Sequence, residues 1–192
     1  MKLLEQRIIQ DGKIINNNVI KVDSFLNHQL DTAFLNELGQ QIYDYFKERK
    51  INKILTIEAS GIALATLTAL HFEDIPVVFC KKQKTSNIGK DIFESKVKSY
   101  TTNKEYIITV SKRFLSPEDN ILIIDDFLAE GNALLGMIDV CNQAKANIEG
   151  ISVAIEKGFQ DGGKIIRQKG FDLLSLAIVE RVENGNIYFK NH

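Results

Sequence analysis

Five short apolar runs set the frame of this chain: Lys53–Glu58 (KILTIE), Val77–Lys81 (VVFCK), Ile121–Asp125 (ILIID), Ile151–Glu156 (ISVAIE) and Leu173–Val179. Their apolar residues run on rather than alternate with polar ones, as in strands buried on both faces. Helical stretches stand between them, at Ile62–His71 and Ala133–Ala144. Strands alternating with helices predict an α/β fold: a mostly parallel twisted sheet flanked by helices. The residues before the first run predict a smaller piece. Leu3, Leu4, Arg7 and Ile8 share a helical face that stops at Gly12, and Val19–Val22 reads as a short strand. Asp31 then caps a helix whose apolar stripe is Phe34, Leu35, Leu38, Ile42 and Phe46, ending near Arg49.

One stretch breaks the alternation. From Lys82 to Pro117 no strong helix signal appears. Val97–Thr101 and Tyr106–Val110 read as two strands about the polar turn Thr102–Lys104. An antiparallel flap over about 82–117 is expected, since a long excursion in a compact domain is usually functional or disordered. It is cationic: Lys81–Lys104 holds seven lysines against Asp91 and Glu94.

Composition narrows the classes. A chain of 192 residues, 44% hydrophobic and 26% charged, can bury a core without disulfides or metals. A net charge of −1 argues against a nucleic-acid partner. No run approaches the ~18 apolar residues of a membrane span. MKLLEQRIIQDG carries charges where a signal peptide would be unbroken. Cys80 and Cys141 have no CxxC partners and read as free thiols of a reducing compartment, so a cytoplasmic, membrane-free location is expected. His28 and His71 have no partners at metal-ligand spacing, and no protein metal site is expected. No Walker A or GxGxxG sequence is present.

In open α/β sheets, ligands bind beyond the carboxyl ends of the strands. Four successive strand ends here carry polar or small residues: Ala59-Ser60-Gly61, Lys82, Asp125-Asp126 through Ala133, and Glu156-Lys157-Gly158-Phe159. Two carboxylates ending an apolar strand, then small residues leading into a helix, suit a phosphorylated sugar. The helix start offers unpaired N–H groups to the phosphate, and the acids accept from the hydroxyls.

ILIIDDFLAEGNA (121–133) resembles the phosphoribosyl-pyrophosphate motif of type I phosphoribosyltransferases: four apolar residues, two acids, two apolar residues and a small phosphate loop. VDSFLNHQ, TIEASGIA, IPVVFCKK and IEKGFQ fall in the family's order and are most similar to its xanthine-using members. The resemblance implies a single domain over 1–192, with an N-terminal helix and hood over about 1–30 and the flap as a mobile catalytic lid, Ser99-Tyr100-Thr101 closing over the reactants.

It implies roles residue by residue. Asp125 and Asp126 would face the ribose hydroxyls as the catalytic acids. Ala129, Glu130, Gly131, Asn132 and Ala133 would hold the 5-phosphate. Ala59, Ser60 and Gly61 would form the pyrophosphate loop, with Lys81 or Lys82 neutralising its charge; Lys81 continues the strand and Lys82 begins the loop, and spacing does not choose. Lys157 and Phe159 would bind and stack an oxopurine, with Ile20 and Asn27 on the base and the Asn27 amide donating to a second carbonyl. The implied reaction transfers a phosphoribosyl group from 5-phosphoribosyl 1-pyrophosphate to N9 of xanthine, with Mg²⁺ carried by the pyrophosphate and a homodimer as the assembly. Guanine or hypoxanthine as the base, and a non-catalytic purine or sugar-pyrophosphate sensor of the same fold, are the alternatives.

Overall fold

A computed structural model of the chain describes residues 2–15, 19–83, 91–98 and 105–190. The expected turn Thr102–Lys104 and the segment Ser99-Tyr100-Thr101 lie outside them.

The N-terminal piece forms as its apolar spacing demands. Helix α1 (Leu3–Asp11) stops at Gly12. Strands β1 (Lys13–Ile15) and β2 (Val19–Lys21) pair antiparallel, Ile14 opposite Ile20. A π-helical turn (Asp23–Asn27) follows. Helix α2 (Thr32–Phe46) opens with Asp31 accepting the Phe34 N–H at 3.2 Å and buries all five residues of its stripe. Each such burial is worth roughly 1.5–3 kcal/mol. The helix ends at Phe46, where the stripe ends, rather than near Arg49. Arg7 ties the piece together. It bonds Asp31 at 2.9 Å and lies 5.0 and 5.1 Å from the ring centres of Phe25 and Phe34. One side chain thereby fixes α1, the π-turn and α2 relative to each other.

Among the described residues the main sheet has eight strands. Its parallel centre comprises β3 (Lys53–Ile57), β4 (Val77–Gln83), β7 (Asn120–Leu128), β8 (Asn147–Lys157) and β9 (Leu173–Glu183), joined in the order β4-β3-β7-β8-β9. Helices α3 (Gly61–His71), α4 (Asn132–Ala144) and α5 (Gly162–Gln168) follow β3, β7 and β8. Two apolar clusters lie against the sheet. One joins α1, α2 and α3 to it, and the other joins α4 and α5 and contains the buried Cys80 and Cys141. Among the described residues both cysteines are free. Strand order reverses between β3 and β7, and that switch point is where such sheets bind ligands.

Two antiparallel additions flank the centre. Strand β10 (Asn186–Phe189) pairs with β9 through a turn at Asn184-Gly185, both with positive φ. On the other edge, β5 (Ile92–Lys98) and β6 (Glu105–Ser111) form a hairpin, and β6 pairs with β4. The expected antiparallel pair is therefore present, but β5 starts five residues earlier than Val97. The hairpin is also not a free excursion: Val97, Ile108 and Val110 are buried. A Cβ on Gly136 of α4 would lie 2.5 Å from Val97 Cγ2 and 3.0 Å from Ile108 Cδ1. Gln143 donates to Glu94 O at 2.7 Å, and Asn132 to Lys98 O at 3.0 Å. These strands of the 82–117 stretch extend the sheet and are packed on α4.

Candidate active site

The carboxyl ends of β3 and β7 carry the densest chemistry. Strand β7 is apolar from Ile121 through Ile124, then places Asp125 and Asp126 in the protein, both buried. Asp125 Oδ1 accepts the Asp126 N–H at 2.9 Å. Burial, and then the neighbouring Asp126 charge, raise the Asp125 pKa well above the ordinary carboxylate value. Helix α3 begins against this pair. A Cβ on Gly61 would collide with the Thr56 hydroxyl and lie 3.1 Å from Asp125 Oδ1. Only a residue without a side chain lets α3 start so close to the acids.

The Glu58-Ala59-Ser60 turn joins β3 to α3, with a cis peptide between Glu58 and Ala59. The Glu58 carboxylate accepts the Lys82 N–H. Ser60 stands at the helix N-cap without a capping bond from its side chain, so its hydroxyl is not committed to the turn.

Beyond Asp126 the chain turns through Ala129, Glu130 and Gly131 into α4. Gly131 has φ 85°, a left-handed conformation that favours glycine. A Cβ there would lie 3.1 Å from Gly162 Cα. The first N–H groups of α4, from Asn132 onward, have no partners within the helix and carry its positive dipole end. A cleft of about 350 Å³ opens on this loop. Ala129, Glu130, Gly131, Asn132 and Ala133 line it together with Ile20, Lys82, Lys98, Tyr106, Phe127 and Lys157. A second cavity, of about 640 Å³, contains Asn27, Ala59 and Ser60, and shares Ile20 with the first. Asn27 Nδ2 donates to Asp126 Oδ2 at 3.0 Å, bridging this second group to the acid pair.

The structure therefore brings together the phosphate loop, the acid pair, the β3–α3 turn, Ile20, Asn27 and Lys157. Two expected residues stand elsewhere. Lys81 lines a cavity on the opposite face of β4, beside Phe79, Gln83 and Arg113, because successive residues of a strand point to opposite faces. Lys82 is the residue of that pair in the cleft, its ammonium 5.6 Å from the Tyr106 ring centre. Phe159 lines neither active-site cavity and is 41% exposed. The turn closed by the Gln160 N–H on Lys157 O carries it outward.

Several cleft residues escaped the sequence. Phe127 is one of the two apolar residues between the acid pair and the phosphate loop, and the motif assigns it no role. Lys98 and Tyr106 belong to the flap strands, where only the lysine excess signalled a site. Lys157 itself is half-buried, and burial lowers its pKa.

Residues 21–164 match the model of the phosphoribosyl transferase domain. The chain is 52% identical over 189 residues to a xanthine phosphoribosyltransferase of Ruminiclostridium cellulolyticum, covering 98% of this chain and 99% of that one. It is 48% identical to a xanthine phosphoribosyltransferase of Clostridioides difficile over 99% of this chain and 100% of the relative. Among solved structures, it is similar to the APRTase of Giardia lamblia complexed with 9-deazaadenine, at TM-score 0.76 and 26% identity, covering 93% of this chain and 97% of that one. The adenine phosphoribosyl transferase of Trypanosoma brucei shares the fold at TM-score 0.77 and 17% identity, covering 99% and 85%.

Proposed function

Because the chain belongs to the phosphoribosyl transferase family, we propose that it transfers the 5-phosphoribosyl group from 5-phosphoribosyl 1-pyrophosphate to N9 of xanthine, giving xanthosine monophosphate and pyrophosphate in purine salvage. The observation that carries this reading is the shared cleft. An amide loop at the start of α4 and a lysine at the end of β8 line one cavity, and the acid pair of β7 is bridged to the cavity adjoining it. Near-complete alignment with xanthine-named relatives supports xanthine as the base.

Each group then has a task that its chemistry fits. The amides of residues 129–133 receive the 5-phosphate. Asp125 and Asp126 face the ribose hydroxyls. Ala59, Ser60 and Gly61 receive the pyrophosphate, and Lys82, rather than Lys81, neutralises its charge. Lys157 donates to the 6-oxo group, Ile20 and Phe127 form apolar walls, and Phe159 stands at the rim. Asn27 donates to the second carbonyl. As the bond from C1 to the pyrophosphate oxygen breaks, positive charge builds on the ribose ring, and N9 forms the new bond to C1. The N9 proton passes to Asp126 and then to solvent. No covalent enzyme intermediate is needed, since positioning and electrostatics supply the rate.

Mg²⁺ enters with the sugar pyrophosphate as part of the substrate. Among the described residues no group of three or more His, Cys, Asp or Glu could hold a metal ion. Mg²⁺ is a hard cation that binds through phosphate oxygens, few carboxylates and water, which suits carriage by the sugar pyrophosphate. We read 1–192 as one catalytic domain with a hood over about 1–30 and a flap over about 82–117, acting as a cytoplasmic homodimer. No helix of the described residues is long and apolar enough to cross a membrane.

Incubation with xanthine, the sugar pyrophosphate and Mg²⁺, followed by isolation of the product, tests the reading. A nucleoside monophosphate joined through N9, formed with one pyrophosphate, is expected. Hydrolysis of the sugar pyrophosphate without a nucleotide product contradicts it.

A further inference from the structure

Helix α5 begins where the phosphate loop is supported from behind. The Gly162 N–H donates to Ala129 O at 3.0 Å. A Cβ on Gly162 would collide with Ala129 O and lie 2.7 Å from Gly131 N. On the next residue, Gly163, a Cβ would collide with Glu156 Oε1 and lie 2.6 Å from Arg167 Nη1. Two successive glycines are thus wedged between the loop on one side and a carboxylate on the other.

That carboxylate is buried near the end of β8, one residue before Lys157. Three donors hold it: Arg167 Nη1 at 2.8 Å, Arg167 Nη2 at 2.7 Å, and the Ser175 hydroxyl. Burial alone would raise the Glu156 pKa, but the hydrogen bonds from Arg167 and Ser175 outweigh it, and the net shift is downward. A two-pronged guanidinium–carboxylate pair fixes orientation as well as distance. Arg167 lies in the last turn of α5, so the pair clamps the far end of the helix whose first residue props the loop. None of Glu156, Arg167 or Ser175 lines either active-site cavity.

Resting on the function proposed above, we infer that Glu156, Arg167 and Ser175 form a positioning device for the 5-phosphate loop, holding α5 so that Gly162 keeps Ala129 and Gly131 in place. The device touches no substrate. It acts on the end of the sugar that carries the 5-phosphate and leaves the pyrophosphate loop after β3 alone. A purely structural role would not make that distinction.

The test compares two ligands on the full chain: ribose 5-phosphate, and pyrophosphate with Mg²⁺, each titrated separately by calorimetry. Arg167→Ala should weaken ribose 5-phosphate ~10-fold, a shift of about 1.4 kcal/mol, and leave pyrophosphate within about twofold. Arg167→Lys should fall between, because an ammonium cannot make both bonds of the fork. In turnover, KM for the sugar pyrophosphate should rise while KM for xanthine stays put. Equal weakening of both ligands, or no weakening of either, overturns the inference. Should Arg167→Ala not fold, Arg167→Lys and Ser175→Ala carry the same comparison. An unaltered chain that binds no ribose 5-phosphate overturns this inference together with the function beneath it. An unaltered chain that binds it and converts xanthine, with variants that bind it equally well, overturns the inference alone.

Discussion

Asn27 and Asp126 are 99 residues apart in sequence and joined by one hydrogen bond of 3.0 Å, from the Asn27 amide to the Asp126 carboxylate. The bond links the π-turn of the N-terminal piece to the end of β7. On the roles proposed above, the amide that would read the base lies against the acid that would face the ribose, so the two halves of the product would meet at this contact. The Asn27 amide has a second N–H besides the one given to Asp126, which the proposed role assigns to the base.

Asn27→Ala should therefore raise KM for xanthine ~10-fold and leave KM for hypoxanthine nearly unchanged, since only xanthine would leave a carbonyl without its donor. Steady-state kinetics with the two bases checks this. Equal effects on both remove Asn27 from the second-carbonyl role.

Asp125 gives a dependence of stability on pH. Its ordinary value is 3.8, and burial, then the Asp126 charge, raise it in the folded chain. The folded state thus holds this proton more tightly than the unfolded state. The resulting stability is complete below the ordinary value and is lost as pH rises through the raised one. Asp125→Asn removes that loss. The variant should match the parent in acid and be more stable at neutral pH. Phosphoribosyl transfer should fall at least ~100-fold, as for loss of one strong electrostatic stabiliser. Thermal unfolding at pH 3 and pH 7, beside an activity assay, reads both effects.

Lys81 and Lys82 are neighbours on opposite faces of β4. Lys82→Ala should raise KM for the sugar pyrophosphate by ~10-fold or more, the scale of a lost charged contact. Lys81→Ala should change it less than about twofold, as for a surface substitution. A larger effect at Lys81 reverses the assignment.

Gly131 has φ 85° and stands 3.1 Å, through a Cβ it lacks, from Gly162 Cα. Gly131→Ala should cost about 1–2 kcal/mol of stability from the left-handed backbone. The sugar-pyrophosphate KM should rise, with little change for xanthine. Calorimetric unfolding and substrate titrations separate the two effects.

Much of this site was legible because strand ends were read as a set. The run ILIIDD marked both the buried strand and its acids, and the stripe from Phe34 to Phe46 marked α2. Less legible were elements whose signals are short or depend on distant partners. Helix α5 has seven residues and starts with Gly162-Gly163, a poor helical signature that becomes intelligible only once Ala129 and Glu156 are seen against it. The hairpin at Asn184-Gly185 was a local signal, a favoured tight-turn dipeptide, hidden behind the apolar run before it. Lys81 and Lys82 could not be separated by sequence, since face depends on register with Thr109 and Ile108 of β6. The resemblance implies Phe159 on the base together with Lys157, but the turn between them carries it outward, and it lines neither cavity.

Pyrophosphate release from the sugar pyrophosphate and Mg²⁺, measured side by side with xanthine, guanine, hypoxanthine and adenine, tests the proposed transfer. The highest kcat/KM is expected with xanthine, weaker turnover with the other oxopurines and none with adenine. Preference for guanine or hypoxanthine would contradict the two-carbonyl reading of Asn27 and Lys157, and release with no base at all would contradict the transferase itself.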